Sequence, residues 1–263
     1  MNIAVVFSPE LKDGFLATSK RLINFERVIE KFRQLKVTHP DVDVEIERYA
    51  VKVHSERYVE KVRRLPFYPT AVESLKAVIK AVDLIKDYDL VLVPTSGTGY
   101  VVEKEKMRGY GIFNDVAVLV ERLAEQGYEK IVVINTDAHH GNFALIGERA
   151  VCFCVLGKIK CSTIERFVCK PSREIPKEEC IERLKKNVED VEEYNPDVVV
   201  WYLGQDLHHL EYSEMEFDRE CYSQIFKIML KVAEKRKLIV IFASGSREDV
   251  FDEIMECFGQ SLV

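Results

Sequence analysis

The sequence predicts an α/β fold in which a mainly parallel β-sheet lies between two layers of helices. Short runs of β-branched and other apolar residues alternate with longer amphipathic stretches, the pattern of repeated βα units. Most of the short runs are apolar throughout, as strands buried on both faces are. No linker rich in glycine, serine or proline interrupts the 263 residues. We therefore predict a single three-layer αβα domain over residues 1–263.

The individual elements follow from the same periodicity. The predicted strands are residues 3–7, 42–49, 90–93, 131–135, 151–156, 198–203 and 238–242. The predicted helices are residues 19–35, 56–64, 70–86, 114–126, 177–193, 218–236 and 248–258. Segment 42–49 stands apart because apolar and acidic residues alternate in it, with Val42, Val44 and Ile46 on one face. That alternation predicts an edge strand with one face in water.

Composition limits the classes of partner. The chain has 38 Lys and Arg against 44 Asp and Glu, a net charge of −6, and this acidic balance argues against binding to nucleic acid. No apolar run approaches the ~20 residues that span a bilayer, and residues 1–8 lack the features of a signal peptide. We expect a cytoplasmic protein with no membrane partner, and the sequence does not predict its oligomeric state.

The seven cysteines are an odd number, and in a reducing compartment most should be free thiols. Cys152, Cys154 and Cys161 form the one close group, with Cys152 and Cys154 on the same face of a predicted strand. Two interpretations remain open for this group. The cysteines act as small apolar core residues, or they form a second metal site, which the lack of a paired C-x-x-C spacing makes less favoured.

Residues 137–142 read Asp-Ala-His-His-Gly-Asn and are the clearest sign of chemistry. Asp137 and His139 lie where a parallel strand is predicted to end, the edge at which active sites of α/β sheets form. A second acid, Asp206, follows the predicted strand 198–203. Two carboxylates and one imidazole suit Zn²⁺ or another divalent first-row cation, with positions left open. The alternative is that Asp137 caps the next segment and the histidines pack or face solvent.

Four segments in chain order resemble motifs of the histone deacetylase and acetylpolyamine amidohydrolase superfamily, which shares its fold with arginase. They are residues 53–59 ("vHs-x-x-Yv"), 109–115 ("GFC-x-FND"), 137–142 ("D-x-HHGNG") and 195–206 ("P-D-hydrophobic run-G-x-D"). The resemblance implies an arginase/deacetylase-like fold and a zinc cofactor held by Asp137, His139 and Asp206. It also implies that Gly109 and Tyr110 line the substrate pocket, and that the ligand is a small acylated amine or another carbonyl compound.

The chain departs from the family at the positions that carry acid–base chemistry. Counted back from Gly109 without a gap, the family's tandem histidines fall on Tyr100 and Val101. The aspartate that partners one of them falls on Asn135, and the catalytic tyrosine of the family's "GGY" turn falls on Ser246. A positioned general base contributes ~10²–10⁴-fold, so these changes should remove most amide hydrolysis by the usual route.

Two residues are candidates for the missing catalytic groups. Tyr100 would place a phenol in the pocket as a donor to an oxyanion, or would pack against the top of the sheet with its hydroxyl in water. His140 matches a family histidine that normally supports the site, and base catalysis is its alternative role. His208 and His209 follow Asp206 closely enough to reach the rim of the site, although each alone is more typical of a surface histidine.

Two functions are therefore open from the sequence. The first is a divergent zinc-dependent, deacetylase-like amidohydrolase with a retained metal site and altered acid–base residues. The second is a catalytically inactive, metal-binding pseudoenzyme with a structural or ligand-sensing role. The surviving ligand set favours the first function, and the joint loss of the histidine pair and the tyrosine favours the second.

Overall fold

A computed structural model of the chain describes residues 1–139, 143–154, 157–158 and 176–262. Within these residues eight strands form one sheet in the order β2-β1-β3-β8-β7-β4-β5-β6. Every neighbouring pair is parallel except β5 and β6, which are antiparallel. The strands β1 to β8 are Ile3–Val6, Leu35–Thr38, Leu90–Pro94, Ile131–Thr136, Ala150–Cys154, Gly157–Lys158, Val198–Gly204 and Lys237–Ala243.

Helices α1 to α9 lie between successive strands of the chain, and α10 follows the last strand. They are Glu10–Asp13, Ala17–Lys20, Phe25–Ile29, Ile46–Val53, Glu56–Val62, Tyr68–Leu84, Asp115–Glu125, Lys177–Tyr194, Arg219–Ala233 and Glu248–Ser261. Side-chain caps begin three of them: Ser55 accepts from Tyr58 N, Asn114 from Ala117 N and Asp218 from Cys221 N. Each cap satisfies an amide that has no partner within its helix.

Alternate residues of each central strand enter one of two hydrophobic cores. On β7, for example, Val199 and Trp201 belong to the core beneath α3, α8, α9 and α10. Val200 and Tyr202 belong to the core beneath α4, α5, α6 and α7. Because both faces of the sheet are covered, the central strands are apolar throughout. The predicted three-layer α/β fold with a mainly parallel sheet is confirmed.

One predicted strand is wrong. Residues 42–45 form no strand, and residues 46–53 form helix α4. The buried residues of this helix are Ile46, Tyr49, Ala50 and Val53, which follow helical rather than alternating spacing. The edge strand is instead β2, at the end of the predicted helix 19–35. It is too short and too exposed for an apolar pattern to identify it, since Val37 is 51% exposed.

The described cysteines correspond in part to the prediction of free thiols. Cys180, Cys221 and Cys257 are free and buried. Cys152 takes part in a disulfide bond, which the prediction did not include. Cys161 and Cys169 lie outside the described residues, so the two interpretations of the close cysteine group stay open.

The strand order decides where functional side chains can meet. β4 and β7 are neighbours, and β8 lies between β7 and β3. The carboxyl ends of these four parallel strands therefore share one edge of the sheet, the edge where ligands bind in open α/β folds. In the described part of the chain, no helix has the combined length and apolarity needed to cross a membrane.

Candidate metal centre

Three predicted ligands meet at the carboxyl edge of β4 and β7. Asp137 and His139 follow β4, and Asp206 lies in the 3-10 turn Gln205–Leu207, which directly follows β7. The strands pair in register, with Thr136 beside Leu203. At Gly204 a β-carbon would lie 2.4 Å from Asp206 Oδ1 and 2.7 Å from Asp137 Oδ2. Glycine at this position therefore allows the two carboxylates to approach each other.

The donor atoms have the arrangement of a cation site. One ligand atom from each of Asp137, His139 and Asp206 lies within 4.8 Å of the others. His139 Nδ1 is 2.9 Å from Asp137 Oδ1 and 2.9 Å from Asp206 Oδ2. The contact between His139 Nδ1 and Asp206 Oδ2 is not aligned as a hydrogen bond. Asp206 Oδ2 is therefore buried without a hydrogen-bond partner among the described residues. Two carboxylate oxygens and one imidazole nitrogen fit zinc or another divalent first-row cation.

The electrostatics of the three residues also fit a cation. Burial lowers the pKa of His139, but the carboxylates of Asp137 and Asp206 outweigh burial and raise it to about 12. Burial and the nearby Asp137 raise the pKa of Asp206 to about 6. For Asp137, burial acts to raise the pKa, but His139 and Ser244 together lower it. The site thus concentrates buried negative charge that positive charge must balance.

Tyr100 reaches this site from the segment that follows β3. Its side chain is 1% exposed, and its hydroxyl lies 2.9 Å from Asp137 Oδ1 and 2.6 Å from the carbonyl oxygen of His139. The ring packs edge-on against Tyr202, with ring centroids 4.6 Å apart. Of the two placements expected for Tyr100, the one with the hydroxyl in water does not occur.

The turn after β8 brings Ser244, not Ser246, to the ligands. Ser244 donates a hydrogen bond from its hydroxyl to Asp137 Oδ2. Ser246, the residue in the tyrosine's place, instead donates to Glu211 Oε2 at 3.1 Å. Sequence reasoning missed Ser244 and Glu211. A non-glycine residue at the first position of a "GGY"-like turn is the signal that could have identified Ser244.

The other departures from the family lie close by. Asn135 is fully buried, and neither polar atom of its amide has a hydrogen-bond partner among the described residues. Asn135 is paired in register with Tyr202 on the adjacent strand. Val101 is half-buried and contributes an apolar surface to the pocket above the ligands.

That pocket has a volume of about 330 Å³ and opens above the three donor residues. Gly109 and Tyr110 both line it, as predicted, and Tyr110 is 57% exposed at its mouth. The aromatic side chains of Tyr202 and Tyr212 also line the pocket, and so does Arg108, next to Gly109 in the chain. The pocket is large enough for a small organic ligand whose polar end contacts the donor residues.

Two of the other predicted histidines, His208 and His209, lie away from the donor residues. His140 lies outside the described residues. His208 is buried with Nε2 3.1 Å from Glu253 Oε1, and His209 Nδ1 donates to the carbonyl of Phe217 at 2.9 Å. Neither His208 nor His209 lines the pocket. The ring of His208 contacts Glu253, and the ring of His209 contacts the backbone of Phe217 instead.

Two further family-like segments hold the wall of the pocket in place. His54 Nδ1 donates to the carbonyl oxygens of Glu103 and Lys104, and its Nε2 accepts from Asn114 N at 3.0 Å. Burial lowers the pKa of His54 to about 4. The amide of Asn114 donates to the Tyr100 carbonyl at 2.8 Å. Segments 53–59 and 109–115 thus fix the loop that carries Tyr100.

The comparisons with known proteins agree with this geometry. The family model described as the histone deacetylase domain matches residues 66–144, a span that includes Tyr100, Tyr110, Asp137 and His139. No curated protein matches the chain. The match coincides with a parallel sheet whose carboxyl edge carries the Asp-His-Asp cluster. The chain is therefore similar to histone deacetylase domains over residues 66–144, a span of 79 of its 263 residues.

Proposed function

We propose that this chain is a divergent zinc-dependent amidohydrolase that acts on a small acylated amine or a related carbonyl compound. The observation that carries the proposal is the cluster of Asp137, His139 and Asp206 at the base of a pocket of about 330 Å³. A cluster that opens into a pocket is typical of catalytic metal sites, whereas structural sites are closed by protein ligands. A divalent cation held there supplies Lewis acidity toward a carbonyl oxygen and toward water.

The residues around the cluster supply positioning and hydrogen bonds. We assign Asp137, His139 and Asp206 as cation ligands, and Gly109 and Tyr110 as part of the substrate wall. Tyr100 and His140 are the candidates for acid–base work. The Tyr100 hydroxyl, 2.9 Å from Asp137 Oδ1, is close enough to the cluster to act beside it. We also infer that residues 1–263 work as one deacetylase-like domain in the cytoplasm.

The test is turnover by protein of known metal content. Purified protein should contain close to one zinc per chain by elemental analysis, and should hydrolyse at least one member of a panel of acetylated and longer-acylated amines. Asp137→Ala should remove both the zinc and the turnover. Asp197→Ala is a matched control, because Asp197 binds two backbone amides at the opposite edge of the sheet. Full zinc occupancy without turnover across the panel would refute the hydrolase.

A second function, a metal-binding pseudoenzyme, has its own supporting observation. Apart from the proposed ligand His139, the side chains that contact Asp137 in the described residues are the hydroxyls of Tyr100 and Ser244, and Tyr202 lines the same pocket. Burial raises the pKa of Tyr202 well above its usual value, so this phenol stays protonated at neutral pH. Such groups donate hydrogen bonds readily but accept protons poorly, which favours ligand binding without hydrolysis.

Chelation distinguishes this second function from a protein that binds no metal. A ligand present at 100 times its Kd stabilises the folded state by about 2.7 kcal/mol, so removing bound zinc should lower the Tm markedly. The pseudoenzyme requires that drop together with no turnover. An unchanged Tm and no zinc by elemental analysis would contradict both functions.

A further inference from the structure

We propose that Ser244 and Tyr100 are positioning residues that orient Asp137 as a cation ligand, with one hydroxyl on each of its carboxylate oxygens. The hydroxyl of Tyr100 lies 2.9 Å from Asp137 Oδ1, and the hydroxyl of Ser244 donates a hydrogen bond to Asp137 Oδ2. We call these two residues and Asp137 the hydroxyl clamp. The inference rests on the proposed metal site, and it assigns a role to two residues that the resemblance to the family leaves without one.

The backbone of Ser244 is the first independent observation. Its φ angle is +55°, and that of the following Gly245 is +71°. A β-carbon is disfavoured in this left-handed region, and glycine is the usual residue there. Serine at this position therefore carries a conformational cost in the folded backbone that glycine would not have. Its side chain forms the hydrogen bond to Asp137, so this bond is the contribution that a glycine could not make.

The turn that carries Ser244 is held from the opposite side by Glu211. One carboxylate oxygen of Glu211 accepts from Ser246 N and Arg247 N, each at 2.8 Å. Gln205 Nε2 donates to the same oxygen at 2.5 Å. A strained residue persists where its surroundings determine its conformation, and these bonds provide that determination.

The Tyr100 side of the clamp is equally fixed. Its carbonyl accepts from Asn114 Nδ2 at 2.8 Å, its ring packs on Tyr202, and its side chain is 1% exposed. The backbone amide of His139 also donates to Asp137 Oδ1, at 2.8 Å. Both oxygens of Asp137 thus have defined donors, and the carboxylate has little freedom to rotate away from His139 and Asp206. Groups that orient a ligand in this way typically contribute 10–100-fold to metal affinity.

The experiment compares zinc affinity with the stability of the metal-free protein. Zinc Kd is measured by competition titration for wild type, Ser244→Gly, Ser244→Ala and Tyr100→Phe, and the metal-free Tm is measured for each. We expect each variant to weaken zinc binding about 10–100-fold. Ser244→Gly should leave the metal-free Tm unchanged or higher, because glycine relieves the positive φ angle. A serine with a merely structural role would not separate these two readouts.

Tyr49→Phe is the matched control. Tyr49 is also buried and its hydroxyl donates to a carboxylate, that of Glu125 at 2.5 Å, but it lies on α4 and does not contact a proposed ligand. It should change the Tm without changing zinc affinity. Zinc affinity equal to wild type in both Ser244→Gly and Tyr100→Phe would overturn the clamp while leaving the proposed function intact. Weakened affinity without turnover in wild type would support the clamp and overturn the hydrolase. Wild type that binds no zinc would overturn both.

Discussion

Two regions share the carboxyl edge of the sheet but are built differently. The first region consists of the ends of β4 and β7, and the second consists of the segments after β3 and β8. The first region carries Asp137, His139 and Asp206 directly on or after neighbouring strands, so strand pairing brings the ligands together. The second region carries Tyr100 and Ser244 on turns that distant side chains hold in place. The first region carries the two acids and the histidine that the sequence resemblance implies as ligands, and the second carries hydroxyl groups for which that resemblance implies no role.

Under the proposed function, the difference would make holding a cation and moving a proton properties of two separate regions of this fold. Residues on paired strands keep their geometry as long as the sheet forms. Residues on turns can exchange a base for a hydroxyl without disturbing the sheet, provided that the turn itself stays anchored. In this chain Tyr100 and Ser244 both contact Asp137, so the second region supports the first through these two hydroxyls.

The largest expected effect comes from breaking the strand-borne region. Asp206→Asn should abolish zinc binding, with a loss greater than the 10–100-fold of a supporting residue, because it removes a charged ligand. The metal-free protein should lose little stability, because the attraction between Asp206 and His139 at 2.9 Å is opposed by the repulsion between Asp206 and the nearby Asp137 carboxylate. Calorimetric titration with zinc and denaturant unfolding measure the two effects, and retention of wild-type affinity would contradict the ligand assignment.

The next effect comes from releasing the turns from the sheet. Arg21 is buried and donates from Nη2 to the carbonyls of Thr95 and Phe242, at 2.8 and 2.9 Å, which joins the ends of β3 and β8. Arg21→Met should cost about 3 kcal/mol of unfolding free energy, because it removes the donor to the buried Thr95 carbonyl, whereas the Phe242 carbonyl keeps the Thr95 amide at 3.0 Å. Arg27→Met is the control, since its side chain is 71% exposed and it should change stability by less than about 0.5 kcal/mol. Similar losses in the two variants would contradict this role of Arg21.

A pH-dependent effect tests the anchor of the Tyr100 loop. The folded-state pKa of His54 is lowered to about 4 by burial, so between about pH 6.5 and 4 the unfolded state binds more protons than the folded state. Its contribution to stability is complete above that window and is lost as the pH falls through it. Relative to His54→Gln, wild type should therefore lose up to about 3 kcal/mol between pH 7 and 4.

Asp115 provides a control of opposite sign for the same loop. Burial raises its pKa to about 6, so the folded state binds more protons than the unfolded state between about pH 4 and 6. Relative to Asp115→Asn, wild type should lose stability as the pH rises through that window. Urea unfolding at several pH values measures both differences. Equal pH dependence in wild type and His54→Gln would show that His54 is not held neutral in the folded protein.

The smallest effect is expected at the mouth of the pocket. Tyr110→Ala should change the free energy of unfolding by less than about 0.5 kcal/mol, because this ring is 57% exposed. Tyr58→Ala, which removes a buried tyrosine of segment 53–59, should lower the free energy of unfolding by about 3 kcal/mol or more. Any effect of Tyr110→Ala on binding of an acylated amine would then report contact with the ligand rather than loss of folding. A large loss of stability would place Tyr110 among the supports of the fold.

The sequence predicted the parts of the molecule that depend on local patterns. Continuous apolar runs identified β3, β4, β7 and β8, and the polar residues after these runs identified the functional edge. The error at residues 42–49 has a definite cause. A few alternating apolar residues satisfy a strand pattern, yet Ile46, Tyr49 and Ala50 bury one face of a helix once they pack against α6 and α7. Local periodicity in a short segment does not decide between the two.

By itself the sequence determined the type of fold and the presence of acids after two predicted strands, because apolar periodicity and strand-end residues are local properties of the chain. The role of those acids as cation ligands stays a prediction. Only the tertiary structure decided that Tyr100 turns inward to Asp137, and that Ser244 rather than Ser246 reaches the same carboxylate. These contacts join residues far apart in the chain. Their geometry depends on anchors such as Asn114 and Glu211, whose partners are backbone groups that no sequence pattern marks.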